Sequence, residues 1–190
     1  MELVHYIAEP YIAGSPDAMV NGRIVLGLSR NPRIEAVIPL LPKHCLDHAR
    51  EDFWYPHQAL LNLLYDVEQE LGEAAWEVFV AFGQAAFEQS NLPTIGKDVP
   101  SALRALHAIH HALLRNVPAG EGFIVEGQGP GDMLVLNNTP YPDAAVYGYL
   151  WGLVNRYCPI QLMFRVRVID NPDPQRALSA FNVSWGRDLH

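Results

Sequence analysis

The sequence predicts an α+β fold, a helical N-terminal part followed by a β-β-α-β-β unit built on an antiparallel sheet. Three observations predict it. Apolar residues recur at three- and four-residue spacing between residues 56 and 116. After Glu121 the chain breaks into short β-rich runs separated by turns. A single helical stretch, from about Asp143 to Tyr157, divides those runs into two pairs. Strands gathered at one end and helices at the other form this class of layered fold. The 190 residues are expected to form one domain. Residues 1–118 are its mainly helical part, and residues 119–190 its sheet-containing lobe.

The first forty residues carry the weakest signal. Pro10, Pro16, Pro32, Pro39 and Pro42 cut them into short pieces, and "GRIVLGLS" suits either a strand or a helix. Pro56 then opens a helix that Gly72 follows, with Leu60, Leu63, Leu64, Val67 and Leu71 as its buried stripe. A second helix covers 73–90. Trp76, Phe79, Val80, Gly83 and Phe87 recur along it, and Gly83 allows a close neighbour. A third helix runs from near Pro100 to Asn116. "EGFIVEG" and "DMLVLNN", joined by "QGPG", read as a hairpin. The helix that follows has Val146, Leu150, Leu153 and Tyr157 on one face, and Gly148 and Gly152 on another. "IQLMFRVRVI" alternates as a half-buried strand does, "NPDP" turns the chain, and Phe181, Val183 and Trp185 mark the last strand.

Composition excludes several functions. The chain is 49% hydrophobic, 18% charged and carries a formal net charge of −8. It is therefore globular, and a poor electrostatic partner for nucleic acid or an anionic membrane surface. No apolar run reaches transmembrane length, and "MELVHYIAEP" lacks the basic start of a secretion signal. Cys45 and Cys158 are sparse and far apart, which suits a reducing cytoplasm. Asn137 and Asn182 open glycosylation-type triplets that carry no meaning without secretion.

The most informative stretch is "RALHAIHHALLRNVP", with three histidines in five positions. On a helical wheel Leu103, Leu106, His110, Leu113 and Val117 share a face, while His107 and His111 lie toward Arg104 and Arg115. His107 and His111 have metal-ligand spacing, as do His44 and His48 in "HCLDH". Neither pair has a properly placed acid, and the arginines oppose a cation. His107 and His111 are accordingly expected at the surface or rim. His110 has two readings: a core histidine bonded to the protein, or an imidazole facing an apolar cavity as an axial ligand to haem iron.

Other chemistry is absent from the pattern. "GQGPG" joins two strands with no helix after it, so it is a turn and not a phosphate cradle. There is no G-x-S-x-G elbow. Cys158 follows a helix C-terminus, where a thiolate is disfavoured. Glu68 and Glu70 are two apart on a helix and do not face each other. The aromatic set Trp76, Phe79, Phe82, Phe87, Tyr149 and Trp151 is expected in the core.

From Trp54 to Trp185 the chain resembles the superfamily that joins heme-nitric-oxide/oxygen-binding (H-NOX) domains with 4-vinyl reductase-type ligand-binding domains. "YPHQALLNLLYDVEQELG" with "VFVAFGQAAF" resembles its paired helices. "LHAIHHAL" resembles the ligand helix, with Ile109-His110 in the place of the proximal histidine and its hydrophobic neighbour. "YGYLWGLVNRY" resembles the helix that crosses the sheet, and "FNVSW" the tail of the reductase-type members. Haem-binding members carry Tyr-x-Ser-x-Arg to hold the propionates. Asn137-Asn138-Thr139-Pro140-Tyr141 stands here instead, with no arginine.

The resemblance implies a non-catalytic sensor or regulatory domain that binds a small apolar molecule, or haem through His110, and acts through a partner signalling protein. The alternative it implies is a reductase-type enzyme or subunit handling a tetrapyrrole, although no flavin, nicotinamide or iron–sulfur motif is present. The expected cavity lies between the ligand helix and the sheet-crossing helix. Leu106, His110, Leu113, Phe79, Gly83, Tyr149 and Leu153 are expected to line it. A homodimer is expected, since Met163, Arg165 and Arg167 give the strand at 160–169 a mixed outer face.

Overall fold

The computed structural model describes residues 8–29, 34–90 and 96–188. The opening heptapeptide and Pro32 lie outside the described residues. The order is β1 (Met19–Asn21), α1 (Gly22–Ser29), three single 3₁₀ turns between Ile34 and His44, β2 (Trp54–Pro56), α2 (His57–Leu71) and α3 (Ala75–Gln89). Then come α4 (Val99–Arg104), α5 (Leu106–Leu113), β3 (Leu114–Arg115), β4 (Gly122–Gly129), β5 (Asp132–Asn138), α6 (Asp143–Tyr157), β6 (Met163–Ile169) and β7 (Ser179–Gly186). The α+β class is as the sequence predicts. Among the described residues no helix is long and apolar enough to cross a membrane.

The C-terminal sheet is antiparallel throughout, in the order β4-β5-β7-β6. The "QGPG" hairpin joins β4 to β5 through a register shift between Gly127 and Gly129. Gly131 takes φ +71°, where a β-carbon would also fall 2.3 Å from the Trp185 carbonyl oxygen, so glycine is needed there twice over. A second, small sheet orders β2-β1-β3. Its strands of two or three residues are too short to show a period. Arg115 on β3 covers the Trp54 ring of β2 from 3.7 Å, a cation–π contact between the two outer strands of this sheet.

"GRIVLGLS", open between strand and helix in the sequence, is the helix α1. The helix expected from Pro100 to Asn116 is two helices, α4 and α5, and ends earlier, at Leu113. Asp98 and Ser101 form a capping box that starts α4. At Ala105 the amide is shared between the carbonyls of Ser101 and Ala102, and this tightened turn separates the two segments. Trp76, expected in the core, is 47% exposed, because the α3 face it occupies borders a surface cleft.

The core has two main clusters. One gathers α1, α2 and α3 around Leu60, Leu63, Leu64 and Phe82; the other packs α4 and α6 on the sheet around Leu103, Leu150, Leu153 and Phe181. The seam between them is the contact of α3 with α6. Here backbones nearly touch. A β-carbon on Gly83 would fall 2.0 Å from the Ala145 carbonyl oxygen, and one on Gly148 2.0 Å from that of Val80. The glycines in both helices let them approach each other to this distance.

Gly148→Ala is therefore expected to lower stability by roughly 1–3 kcal/mol through overpacking, whereas Gly127→Ala, in open space, stays near neutral. Urea unfolding of the two variants checks this.

Candidate functional site

An apolar cavity of about 70 Å³ lies at the seam. Phe82, Gly83 and Ala86 of α3 form one wall; Ala145, Val146 and Tyr149 of α6 form the next. Leu106, Ile109, His110 and Leu113 of α5 face them, and Ile24, Leu114, Phe123 and Tyr141 complete the lining. The 3.6-residue period of α5 places Leu106, Ile109, His110 and Leu113 on one face. The structure thus brings together Leu106, His110, Leu113, Gly83 and Tyr149 of the expected lining. Phe79 and Leu153 lie elsewhere. Each sits one helical turn, ~5–6 Å, beyond the cavity wall. Phe79 borders the surface cleft instead, and Leu153 is buried in the sheet-side cluster.

All three histidines address one short segment, Glu121-Gly122. His110 Nε2 lies 3.0 Å from Glu121 Oε1, and both side chains are buried. His111 Nε2 donates to the Glu121 carbonyl oxygen at 2.9 Å. His107 stacks on His111 with ring centroids 4.5 Å apart. Its Nδ1 would lie 2.6 Å from a β-carbon at Gly122, whose φ is +135°. His107 and His111 are half-buried at the rim. Their metal-like spacing serves to fasten a loop. His44 bonds Asp66 at 2.7 Å, and the His48 side chain is 95% exposed. Among the described residues no three His, Cys, Asp or Glu side chains gather as a metal site. Cys158 is free, and burial pushes its thiol pKa up.

The Asn137–Tyr141 stretch is closed on itself. The Thr139 amide and hydroxyl both donate to Asn137 Oδ1, at 3.1 and 2.8 Å, and Asn137 Nδ2 donates to Ser179 Oγ. Asn137 and Thr139 are buried in this turn and are not cavity donors. Its last residue, Tyr141, does reach the cavity. Tyr141 and Tyr149 both line it, and both hydroxyls are buried without a hydrogen-bond partner. Tyr149 has Ser90 as a polar neighbour; the Ser90 hydroxyl donates to the Phe87 carbonyl, and its oxygen remains able to accept. Burial raises the pKa of both phenols, Tyr149 to about 12, so both are hydroxyl donors at neutral pH.

His57, at the start of α2, packs against the Tyr141 ring at 5.2 Å. It is fully buried and neither ring nitrogen has a partner. Desolvation lowers its pKa to about 4, against a smaller opposing pull from Glu121. Sequence reasoning overlooked His57 and Glu121. His57 follows a helix-opening proline, and Glu121 stands in a Gly- and Pro-rich turn, and neither position carries a periodic signal.

The unfolded chain takes up the His57 proton near pH 6.5 and the folded chain only near pH 4. Stability contributed by the neutral ring is full above pH 6.5 and declines as pH falls toward 4, by up to roughly 3 kcal/mol. His57→Phe is expected to flatten that part of the pH dependence, read by urea unfolding at pH 7 and pH 4.5.

No protein-family model matches the chain, and no curated protein does. Solved structures match it well. An Fe(II) unliganded H-NOX protein from K. algicida superposes with a TM-score of 0.59 at 13% identity, over 90% of this chain and 98% of that one. A mutant H-NOX protein from S. oneidensis in the Fe(II) ligation state gives 0.54 at 17% identity, with the same coverage. The NMR structure of an H-NOX domain from Shewanella oneidensis in the Fe(II)CO state gives 0.57 at 16% identity, over 87% and 98%. The helix order, the antiparallel sheet and the seam helices thus belong to a known architecture: the chain has the H-NOX fold.

Proposed function

We propose that this chain is a non-catalytic ligand-binding domain of the sensor type, which takes a small apolar molecule into the seam cavity and acts through a partner protein. The observation that carries the reading is the cavity itself. Its walls come from both core clusters, so a bound molecule touches both at once. Among the described residues its polar side chains are His110, Tyr141 and Tyr149, and His110 is tied to the buried Glu121 carboxylate at 3.0 Å.

Haem does not fit this site. The iron-ligating candidate atom, His110 Nε2, is occupied by Glu121 whichever partner holds the proton. Among the described residues no Lys or Arg lines the cavity to pair with propionates. The 70 Å³ of space is well below the ~300–1,000 Å³ of cofactor pockets. His110 is thus best read as a core histidine that anchors a loop. The ligand is a molecule smaller than benzene, which fills a cavity of ~150 Å³.

Xenon uptake followed by ¹²⁹Xe NMR tests the reading, since xenon enters dry apolar cavities. Saturable uptake that isobutene displaces is expected, and its absence overturns the proposal. Titration with hemin is expected to yield no stoichiometric His-ligated spectrum. Such a spectrum, lost in His110→Ala, would instead make haem the ligand.

A further inference from the structure

Resting on that reading for the existence of a partner, we propose that the partner protein docks in the outer cleft, through a segment that carries Arg or Lys beside apolar side chains. The cleft encloses about 890 Å³, where residues 9–12, the corner between α2 and α3 and the turn from β5 into α6 meet. Ile12, Trp76 and Leu178 border it at 67%, 47% and 69% exposure. Large apolar side chains this wet, gathered at one place, mark an interaction site. A small molecule lodged in the cleft leaves the outer parts of these side chains in water. A polypeptide laid across it covers them.

Charge selects the partner's chemistry. Glu9, Glu68, Glu73 and Asp143 line the cleft, and among its described lining residues there is no Lys, Arg or His. Tyr11 donates its hydroxyl to Glu68, a neutral contact that leaves the negative charge in place. An apolar centre with an acidic rim attracts a cationic segment and repels an acidic one. The half-exposed indole of Trp76 adds a cation–π partner for a guanidinium. A second copy of this chain is the poorer occupant. An isologous contact would set these four carboxylates against four more, on a chain of net charge −8. The placement also joins partner to ligand, because Tyr141 lines both the cleft and the seam cavity.

Three fluorescein-labelled peptides of equal length test this: one of Leu and Arg, one of Leu and Glu, and one of Ser and Arg. Binding to the intact chain is read by fluorescence anisotropy, and its place by NMR shift changes. The Leu–Arg peptide is expected to bind saturably at the cleft and more weakly as salt rises. The other two are expected to bind about tenfold more weakly or worse. Glu9→Gln with Glu73→Gln is expected to weaken the Leu–Arg peptide about three- to tenfold, the effect of two exposed charge pairs. Glu35→Gln with Glu51→Gln removes the same charge from exposed positions outside the cleft lining, and is expected to change binding less than about twofold. Equal loss in the two double variants would reduce the effect to net charge and overturn the proposal. So would equal binding of the Ser–Arg peptide, or shifts confined to residues outside the cleft. Binding seen only after removal of residues 1–7 would make that segment the occupant, and self-association of the chain that the Glu9 and Glu73 variant alters would make it a second copy; either overturns the proposal. Xenon uptake without peptide binding would overturn the docking surface alone. Peptide binding without xenon uptake would overturn the cavity reading and leave the docking surface standing.

Discussion

The buried bond between His110 and Glu121 organises the site. Two polar side chains in an apolar surrounding are tolerable only as partners, and removing one strands the other. That requirement ties α5 to the loop before β4. His111 reinforces the tie through the Glu121 backbone, and Gly122 provides the space that His107 needs. The loop in turn delivers Phe123 to the cavity, with its ring edge-on to His110. The position of β4 against the helices thus descends from a histidine–carboxylate pair. On this fold that pair does the opposite of opening a ligating nitrogen. It saturates it.

The cavity has one stiff side and one adjustable side. On the α3–α6 seam, glycines at 83 and 148 face carbonyls of the opposite helix, so backbone meets backbone with no side chain to yield. The facing side is made of Leu, Ile and His side chains on α5, a helix of eight residues that the turn at Ala105 separates from α4. Eight residues are too few for a helix to persist without tertiary support. Strain from an oversized occupant therefore falls on α5 and its loop and spares the seam.

How legible this was in the sequence varied with the length of each signal. The sheet-crossing helix and the strands around Val166 and Val183 were readable, because seven or more residues repeat a clear period. The three-stranded sheet was not, since its strands are fixed by pairing partners up to about a hundred residues apart. The turn at Ala105 was hidden because no Gly or Pro marks it. Of the cavity, His110 and its leucines were legible from the wheel, and so was the lack of an arginine in the Asn137–Tyr141 stretch. Glu121 was not. An acid in a Gly- and Pro-rich loop looks solvated until the fold shows what covers it. The expected lining went wrong by one turn at Phe79 and at Leu153, because periodicity gives a residue's direction and says nothing of where along the axis a void begins.

Tyr141 borders both the interior cavity and the outer cleft, which measures about 890 Å³ and exposes Ile12, Trp76 and Leu178 beside Glu9, Glu73 and Asp143. A single aromatic ring is therefore a party wall. A swing of that ring would alter the wall of both compartments at once. Inside and outside share one wall at this point, a single phenol ring against which His57 packs at 5.2 Å.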